Sequence, residues 1–377
     1  ENVLKQRAVW KPRARPDMAA LENQKWVFVE RPGTGGASES LFRLESCPMP
    51  PPLEEGQALV GSYLFSLDPT IHNALRGPAG HSLTDQAGKS GYYDFMRWEL
   101  DHTPSWMLIG VVKESRNAEL PVGSFVSTFA PWQIFNVVTG ATVLDCSDGV
   151  LPENHLSCIG MTGLTAAKPI LKYARTKAGE TAFVSGAAGA TGLVAAQLLK
   201  AQGATVIGSA GTCEKVAMLE SLGMKAFNYK EQGTLAALQE LAPAGVDIYF
   251  DNVGGETLEA TLEVMNDLGR IIACGAISQY DVPAEKRYGI KNLFHVVAKR
   301  LTIQGFIVSG DQFSAEETTE AQKMLHDALL NKTLVDKVNV VEGFSCLPAA
   351  LIGLLRGQNT GKMMVKIPEM TNPDLEY

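Results

Sequence analysis

Ser185-Gly186-Ala187-Ala188-Gly189-Ala190-Thr191-Gly192 follows a short apolar stretch and opens an Ala- and Leu-rich segment running to residue 201. Strand, glycine-rich turn and helix in that order bring the N–H groups of a helix N-terminus against a dinucleotide pyrophosphate. Gly189 keeps a side chain out of the pyrophosphate's path, Ala190 and Thr191 continue the turn, and Gly192 lets the helix pack close to the strand. In the usual G-x-G-x-x-G spacing the first glycine is replaced here by Ala187. The surroundings carry the reading, because a bare glycine-rich turn is a weak signal. Residues 181–185, 205–208, 225–228, 246–250 and 270–274 read as short apolar strands, and 192–201, 214–222, 235–241 and 256–265 carry apolar residues at helical spacing. This alternation predicts an α/β Rossmann domain with a doubly wound parallel sheet.

The end of the second strand selects the dinucleotide. There, about twenty residues past the turn, an NAD binder carries Asp or Glu on the ribose 2′-OH. Here the stretch is Ile207-Gly208-Ser209-Ala210-Gly211-Thr212, with no acid to repel a 2′-phosphate. Ser209 and Gly211 leave room for it, Lys215 at the start of the next helix can supply the opposing charge, and Tyr229 flanks the adenosine side. The expected cofactor is NADPH rather than NADH.

On either side of this region the texture changes. Residues 25–30, 58–65, 107–114 and 124–129 are β-like stretches punctuated by Pro and Gly, which predicts a β-rich domain. The tail reads as a helix at 316–330, a strand at 338–341, a helix at 346–356 and a strand at 362–367, and is expected to rejoin that domain. The expected organisation is an arm at 1–22, the first part of the catalytic domain at 23–157, the Rossmann domain at 158–318 and a return to the catalytic domain at 319–377. Residues 77–105 are poorly periodic and rich in aromatics; a loop that long is usually functional or disordered.

Composition bounds the function classes. The 377 residues carry 33 Lys+Arg against 41 Asp+Glu and are 45% hydrophobic, which excludes a disordered chain or one small binding module and leaves no overall positive charge for nucleic acid. The uncharged runs 120–144 and 181–199 are long enough for a bilayer, but Pro and Gly break the first and the glycine turn explains the second. Six scattered cysteines suggest neither a disulfide framework nor a Cys-rich zinc site, and fit a reducing compartment. Lys5, Arg7, Lys11, Arg13 and Arg15 make the first twenty residues basic; they read as a solvated arm, with an organellar targeting segment as the alternative. A cytoplasmic protein without membrane attachment is expected.

Four motifs occur in order: Ser209-Ala210-Gly211-Thr212-Cys213-Glu214-Lys215, Phe227-Asn228-Tyr229-Lys230, Phe250-Asp251-Asn252-Val253-Gly254-Gly255 and Cys274-Gly275-Ala276-Ile277-Ser278-Gln279-Tyr280. Together they resemble the zinc-independent medium-chain dehydrogenase/reductases. The likeness is strongest to the prostaglandin reductase, or leukotriene B4 12-hydroxydehydrogenase, group and the NADPH-dependent alkenal double-bond reductases. The resemblance implies a GroES-like β-rich domain with a Rossmann domain inserted in it and an active site in the cleft. It also implies that 189–192 form the pyrophosphate turn, that Lys215 and Tyr229 hold the 2′-phosphate, and that Asn252 contacts the cofactor. Cys274, Gly275, Ala276, Ile277 and Ser278 correspond to the loop over the nicotinamide ribose, Phe306, Ile307 and Val308 to the edge that holds the carboxamide, and Asn359 to a late cofactor contact. Homodimers through the Rossmann sheet edge are common among similar proteins, so a homodimer is expected.

No metal site is expected. Zinc-dependent relatives need Cys and His ligands around a Gly-His-Glu motif, whereas the corresponding strand reads Met107-Leu108-Ile109-Gly110-Val111-Val112. Conjugate reduction of an activated C=C bond fits a site without such ligands: hydride reaches the β-carbon and negative charge develops on the carbonyl oxygen of an enal or enone. Tyr280 ends the loop facing the nicotinamide and is the candidate for the hydroxyl that stabilises that charge or relays a proton. Where the family commonly reads Asp-Pro-Tyr-Met-Arg, this chain has Asp68-Pro69-Thr70-Ile71-His72, so an aromatic pocket wall is missing. Tyr92, Tyr93 or Trp98 is expected to replace it, with a surface insertion or oligomer contact as the alternative. An NADPH:quinone oxidoreductase and a non-catalytic NADPH-binding protein are the other readings of the chain.

Overall fold

Residues 58–66 (ALVGSYLFS) are apolar or small almost throughout and buried at every position, as a strand covered on both faces requires. The structure, a computed structural model, describes residues 22–33, 36–76, 97–147, 149–280 and 282–370. In it, Ala58–Ser66 is the middle of a seven-stranded sheet. It pairs antiparallel with Ser105–Ser115 on one side and with Lys362–Lys366 and Phe135–Val138 on the other. Phe125–Pro131 and Thr142–Val143 extend one end of the sheet, and Val338–Glu342, parallel to Lys362–Lys366, closes the other. Both tail strands, Val338–Glu342 and Lys362–Lys366, lie in this sheet.

A two-stranded ribbon, Gln24–Phe28 with Phe42–Ser46, covers this sheet and contributes Trp26, Phe28 and Phe42 to its core. Trp98 belongs to the same core, with its ring centroid 5.1 Å from that of Trp132 and 5.9 Å from that of Phe28. Its indole N–H donates to the Ser105 carbonyl at 3.0 Å. The expectation that Trp98 lines a substrate pocket is therefore corrected: a large amphipathic ring gains more from burial among other rings with its one donor satisfied. Tyr92 and Tyr93 lie outside the described residues.

The second sheet has six parallel strands in the spatial order Lys225–Asn228, Thr205–Ala210, Thr181–Val184, Val246–Asp251, Met265–Ala273, Thr302–Gly305. Numbered along the chain this is 3-2-1-4-5-6, the doubly wound order, and its direction reverses between Thr181–Val184 and Val246–Asp251. In doubly wound sheets ligands bind at such a reversal, outside the carboxyl ends of the strands, and the glycine turn follows the strand Thr181–Val184 there. The sixth strand is absent from the sequence reading because Thr-Ile-Gln-Gly on an exposed sheet edge shows neither an apolar run nor alternation.

The helix Ala315–Leu330 starts with a reciprocal cap, in which Ser314 Oγ accepts the Glu317 N–H at 3.2 Å and the Glu317 carboxylate accepts the Ser314 N–H at 2.8 Å. Its Ala321 and Leu325, with Leu334 beyond it, pack into the Rossmann core. The chain thus stays with the Rossmann domain past the expected boundary at 319 and crosses back just before Val338–Glu342. At the earlier crossing, Leu156 belongs to the β-rich core and Cys158 to the Rossmann core. No helix among the described residues is long and apolar enough to cross a membrane.

A buried ion pair ties the last strand of the β-rich domain to the end of its central strand. The Lys362 side chain is 2% exposed, and its Nζ donates to the Asp68 carboxylate and, at 3.1 Å, to the Leu67 carbonyl. Asp68 also accepts from Ser66 Oγ at 2.6 Å and Trp106 Nε1 at 3.0 Å. Burial alone would raise its pKa, but the Lys362 ammonium and the two neutral donors outweigh it and hold the carboxyl below its ordinary value. Lys362→Met leaves that carboxylate without its counter-ion and is expected to cost about 3–5 kcal/mol of unfolding free energy. Urea denaturation checks this: the midpoint should fall, recover partly on adding Asp68→Asn, and an unshifted midpoint for Lys362→Met would refute the role given to the pair.

Candidate active site

The turn after Thr181–Val184 is shaped by what its glycines avoid. Gly186 has φ +61°, in the left-handed region that favours glycine. A Cβ on Gly192 would lie 2.4 Å from the Gly186 carbonyl oxygen, so helix and turn meet backbone to backbone. Ala187, in the place of the usual first glycine, is accommodated from the next strand: a Cβ on Gly208 would stand 2.8 Å from the Ala187 Cβ. Gly189 caps the helix Ala190–Ala201. The N–H groups of Thr191 and Gly192 open that helix, with no preceding turn to accept them, while Gly189 forms a parallel bridge with Gly361 of the tail loop. Such a cradle fits the pyrophosphate of a dinucleotide.

Ser209 is directed inward. Its hydroxyl accepts the Gly186 N–H at 3.3 Å, and its carbonyl accepts the Ala187 N–H at 2.9 Å, so it braces the turn. Lys215 lies in the first turn of Cys213–Ser221, whose cap is Thr212. Its ammonium donates to the Gly357 carbonyl at 2.6 Å. Burial, and then the neighbouring Lys230 charge, lower its pKa. Tyr229 is half exposed beside it, and a Cβ on Gly211 would meet the Tyr229 hydroxyl at 3.0 Å. The four residues read from the sequence for the adenosine end therefore sit together, with Lys230 as a second cation that the reading did not single out.

At the reversal point, Asp251 is buried at the end of its strand. Its carboxylate accepts from Tyr249 Oη at 2.6 Å, the Gly254 N–H at 2.8 Å, the Val253 N–H at 2.9 Å and Ser185 Oγ at 3.4 Å. Its carbonyl accepts the N–H groups of Cys274 and Gly275 at 2.9 and 3.0 Å. Asn252 is bound to the same knot, its amide donating to the Ser185 carbonyl at 2.8 Å. The sequence showed Asp251 inside a motif, but only burial reveals that it ties the segment together.

Cys274, Gly275, Ala276, Ile277 and Ser278 follow Met265–Ala273 and lie over that knot, with Ile277 N–H on the Asn252 carbonyl at 3.2 Å and Ser278 Oγ on the Val253 carbonyl at 2.6 Å. Burial and the Asp251 charge push the Cys274 thiol up to about 12, which makes it inert packing. Tyr280 ends the loop. Its hydroxyl oxygen accepts the Ala276 N–H at 3.4 Å and lies 3.0 Å from where a Gly275 Cβ would be. From the β-rich domain, the His72 ring stacks on the Tyr280 ring, with centroids 5.2 Å apart and planes 17° apart.

Two further segments border the cleft. Phe306, Ile307 and Val308 follow the edge strand Thr302–Gly305; the Val308 carbonyl accepts Lys168 Nζ at 2.7 Å and the Ile307 N–H donates to Gln312 at 2.8 Å. Asn359 is buried and donates to the Gly361 carbonyl at 2.6 Å, shaping its own loop. That loop docks on the glycine turn, with the Gly361 N–H on the Ala188 carbonyl at 2.8 Å.

Comparisons with known proteins bear on this cleft. Residues 24–145 match the family described as N-terminal domain of oxidoreductase, and 190–326 match the one described as Zinc-binding dehydrogenase. NADP-dependent oxidoreductase RED1 of Cochliobolus heterostrophus is 39% identical over 84% of this chain and 88% of its own. Mouse prostaglandin reductase 1 is 36% identical, and the 2-alkenal reductase (NADP(+)-dependent) of Nicotiana tabacum 33%, over 92% and 93% of this chain and 99% of each of theirs. This chain belongs to the zinc-independent medium-chain dehydrogenase/reductases. Among solved structures, CurA from Vibrio vulnificus in complex with NADPH superposes with a TM-score of 0.81 at 28% identity, covering 91% of this chain and 99% of that one. Despite the zinc in the name of the matched family, no three His, Cys, Asp or Glu side chains among the described residues are grouped to hold a metal ion. The named relatives include NADP-dependent oxidoreductases, and the glycine cradle and acid-free second strand of this chain fit that cofactor.

Proposed function

We propose that the protein is an NADPH-dependent reductase of the C=C bond in α,β-unsaturated aldehydes or ketones. The observation that carries the proposal is the Tyr280 hydroxyl. It stands at the end of the loop over the nicotinamide side of the cleft with its oxygen already accepting the Ala276 N–H, which leaves its proton to be donated. Burial raises its pKa, the Ala276 N–H opposes this, and Cys274 and Asp251 add to the rise. The hydroxyl therefore remains protonated at neutral pH, as a donor to a developing enolate must. The similarity to a 2-alkenal reductase and a prostaglandin reductase supports the same substrate class.

In this reading residues 189–192 hold the pyrophosphate with backbone N–H groups. Lys215 and Tyr229 bind the 2′-phosphate in the space left by Ser209 and Gly211. Asn252 and residues 274–278 line the nicotinamide ribose, 306–308 orient the carboxamide with their backbone, and Asn359 keeps the tail loop against the turn. When bound, the cofactor supplies hydride to the β-carbon of the acceptor. Tyr280 stabilises the charge that develops on the carbonyl oxygen, and one proton reaches the α-carbon through it or from solvent, giving the saturated carbonyl compound and NADP+.

The same reading takes the protein as a homodimer. Thr302–Gly305 ends the sheet order with one neighbour, and Leu293, Phe294, Val297 and Ile303 are exposed near that edge. A row of unpaired backbone groups beside apolar side chains favours pairing with a second copy.

Purified protein should consume NADPH with enals and enones and release saturated products, while turnover with quinones alone would replace this reading. Tyr280→Phe is expected to lower kcat about 100-fold without changing NADPH affinity, and wild-type activity should show no loss through this group below about pH 10. Lys215→Ala should weaken NADPH binding by about tenfold or more and leave NADH binding unchanged; equal weakening of both would remove Lys215 from the phosphate site. Light scattering should give twice the chain mass for the wild type and one chain mass for Phe294→Glu with Val297→Glu, whereas a monomeric wild type would contradict the dimer.

A further inference from the structure

We infer that His72 is a positioning residue for Tyr280: its imidazole, presented by the β-rich domain, fixes the plane of the phenol ring and so the direction of the hydroxyl in the cleft. The inference rests on the role proposed above for Tyr280 and adds the element that aims it.

The two rings come from different domains and different kinds of backbone. Tyr280 follows the single turn Ile277–Gln279. Its polar contact, Ala276 N–H to hydroxyl at 3.4 Å, is long and lies within its own loop. Nothing in that bond fixes the rotation of the ring plane. The stack supplies that restraint, at 5.2 Å between centroids and 17° between planes, within the range in which aromatic faces attract.

His72 is the fixed partner. It is 2% exposed and belongs to the helix Ile71–Arg76, whose origin and end are both tied down. At the origin, the preceding Asp68 is held by Lys362, Ser66 and Trp106. At the end, the Ala74 carbonyl accepts the Trp98 N–H at 3.2 Å and the Leu75 carbonyl accepts Arg31 Nη1 at 3.1 Å. Ile71, Ala74 and Leu75 are buried in the β-rich core. A ring on so braced a helix sets the position of a ring on a loop, rather than following it. Because the stack crosses the cleft, the donor is aligned only while the two domains hold this spacing.

The test is a double-mutant cycle on the full-length enzyme with an enone acceptor, together with fluorescence titration of NADPH. His72→Ala should lower kcat about fivefold and leave NADPH affinity within about twofold. His72→Phe, which keeps a flat ring and discards the nitrogens, should return kcat to within about twofold of wild type. In the Tyr280→Phe background, His72→Ala should change kcat by less than about twofold, since no hydroxyl remains to be aimed. An unchanged kcat in His72→Ala, no recovery in His72→Phe, or the same loss with and without the hydroxyl would overturn the positioning role while the Tyr280 reading stands. A Tyr280→Phe enzyme as fast as wild type would overturn both.

Discussion

The cleft depends on one buried carboxylate. Asp251 sits at the point where the strand order of the Rossmann sheet reverses, and joins the end of the first strand, the loop after the fourth and the loop after the fifth. Burial raises its pKa, and the Tyr249, Gly254, Val253 and Ser185 donors counter this. A buried carboxyl of this kind persists only when its acceptor sites are filled. Two of the donors are hydroxyls, of Tyr249 and of Ser185 at the start of the glycine turn, and two are the Val253 and Gly254 N–H groups of the loop after the fourth strand, while the Asp251 carbonyl takes the Cys274 and Gly275 N–H groups. The glycine turn, Asn252 and the segment from Cys274 to Tyr280 are therefore set relative to one another by a single residue.

The β-rich domain meets this frame at two separate places. At one end the tail loop docks on the glycine turn through Gly361 and takes up the Lys215 ammonium at the Gly357 carbonyl. At the other, the helix anchored by Asp68 and Lys362 reaches Tyr280 through His72. The adenosine and nicotinamide ends of the cleft are thus each bridged by the same domain. That domain is rigid where it matters, because its central strand is buried throughout and its last strand carries both the Lys362 counter-ion and the tail loop. The proposed chemistry asks little more of the protein than a shaped, drained cleft and one aimed hydroxyl, since the redox change belongs to the cofactor.

Much of the fold was legible because its signals are local. The Rossmann strands are short apolar runs separated by amphipathic helices, and the central strand of the other domain is a nine-residue apolar stretch. What escaped is what depends on neighbours. The edge strand Thr302–Gly305 has no apolar pattern because one side faces no strand among the described residues. The helix Ala315–Leu330 looks the same whichever core receives it, so the crossing back could not be located. Ser209 and Asn359, both read from the sequence as cofactor contacts, spend their side chains bracing backbone. Pairings across long sequence distances, such as Gly208 opposite Ala187 and His72 on Tyr280, leave no mark in either stretch alone. Trp98 shows the converse error, an aromatic in an irregular segment read as a pocket wall when it is core.

The most direct test of the central claim is to follow the transferred hydrogen. NADPH deuterated at the reacting position of the nicotinamide is incubated with the enzyme and a simple enone, and the product is examined by NMR and mass spectrometry. Deuterium on the β-carbon of a saturated ketone, with a solvent proton on the α-carbon, is the predicted result. Deuterium on the carbonyl carbon of an allylic alcohol with the C=C bond intact would contradict the account.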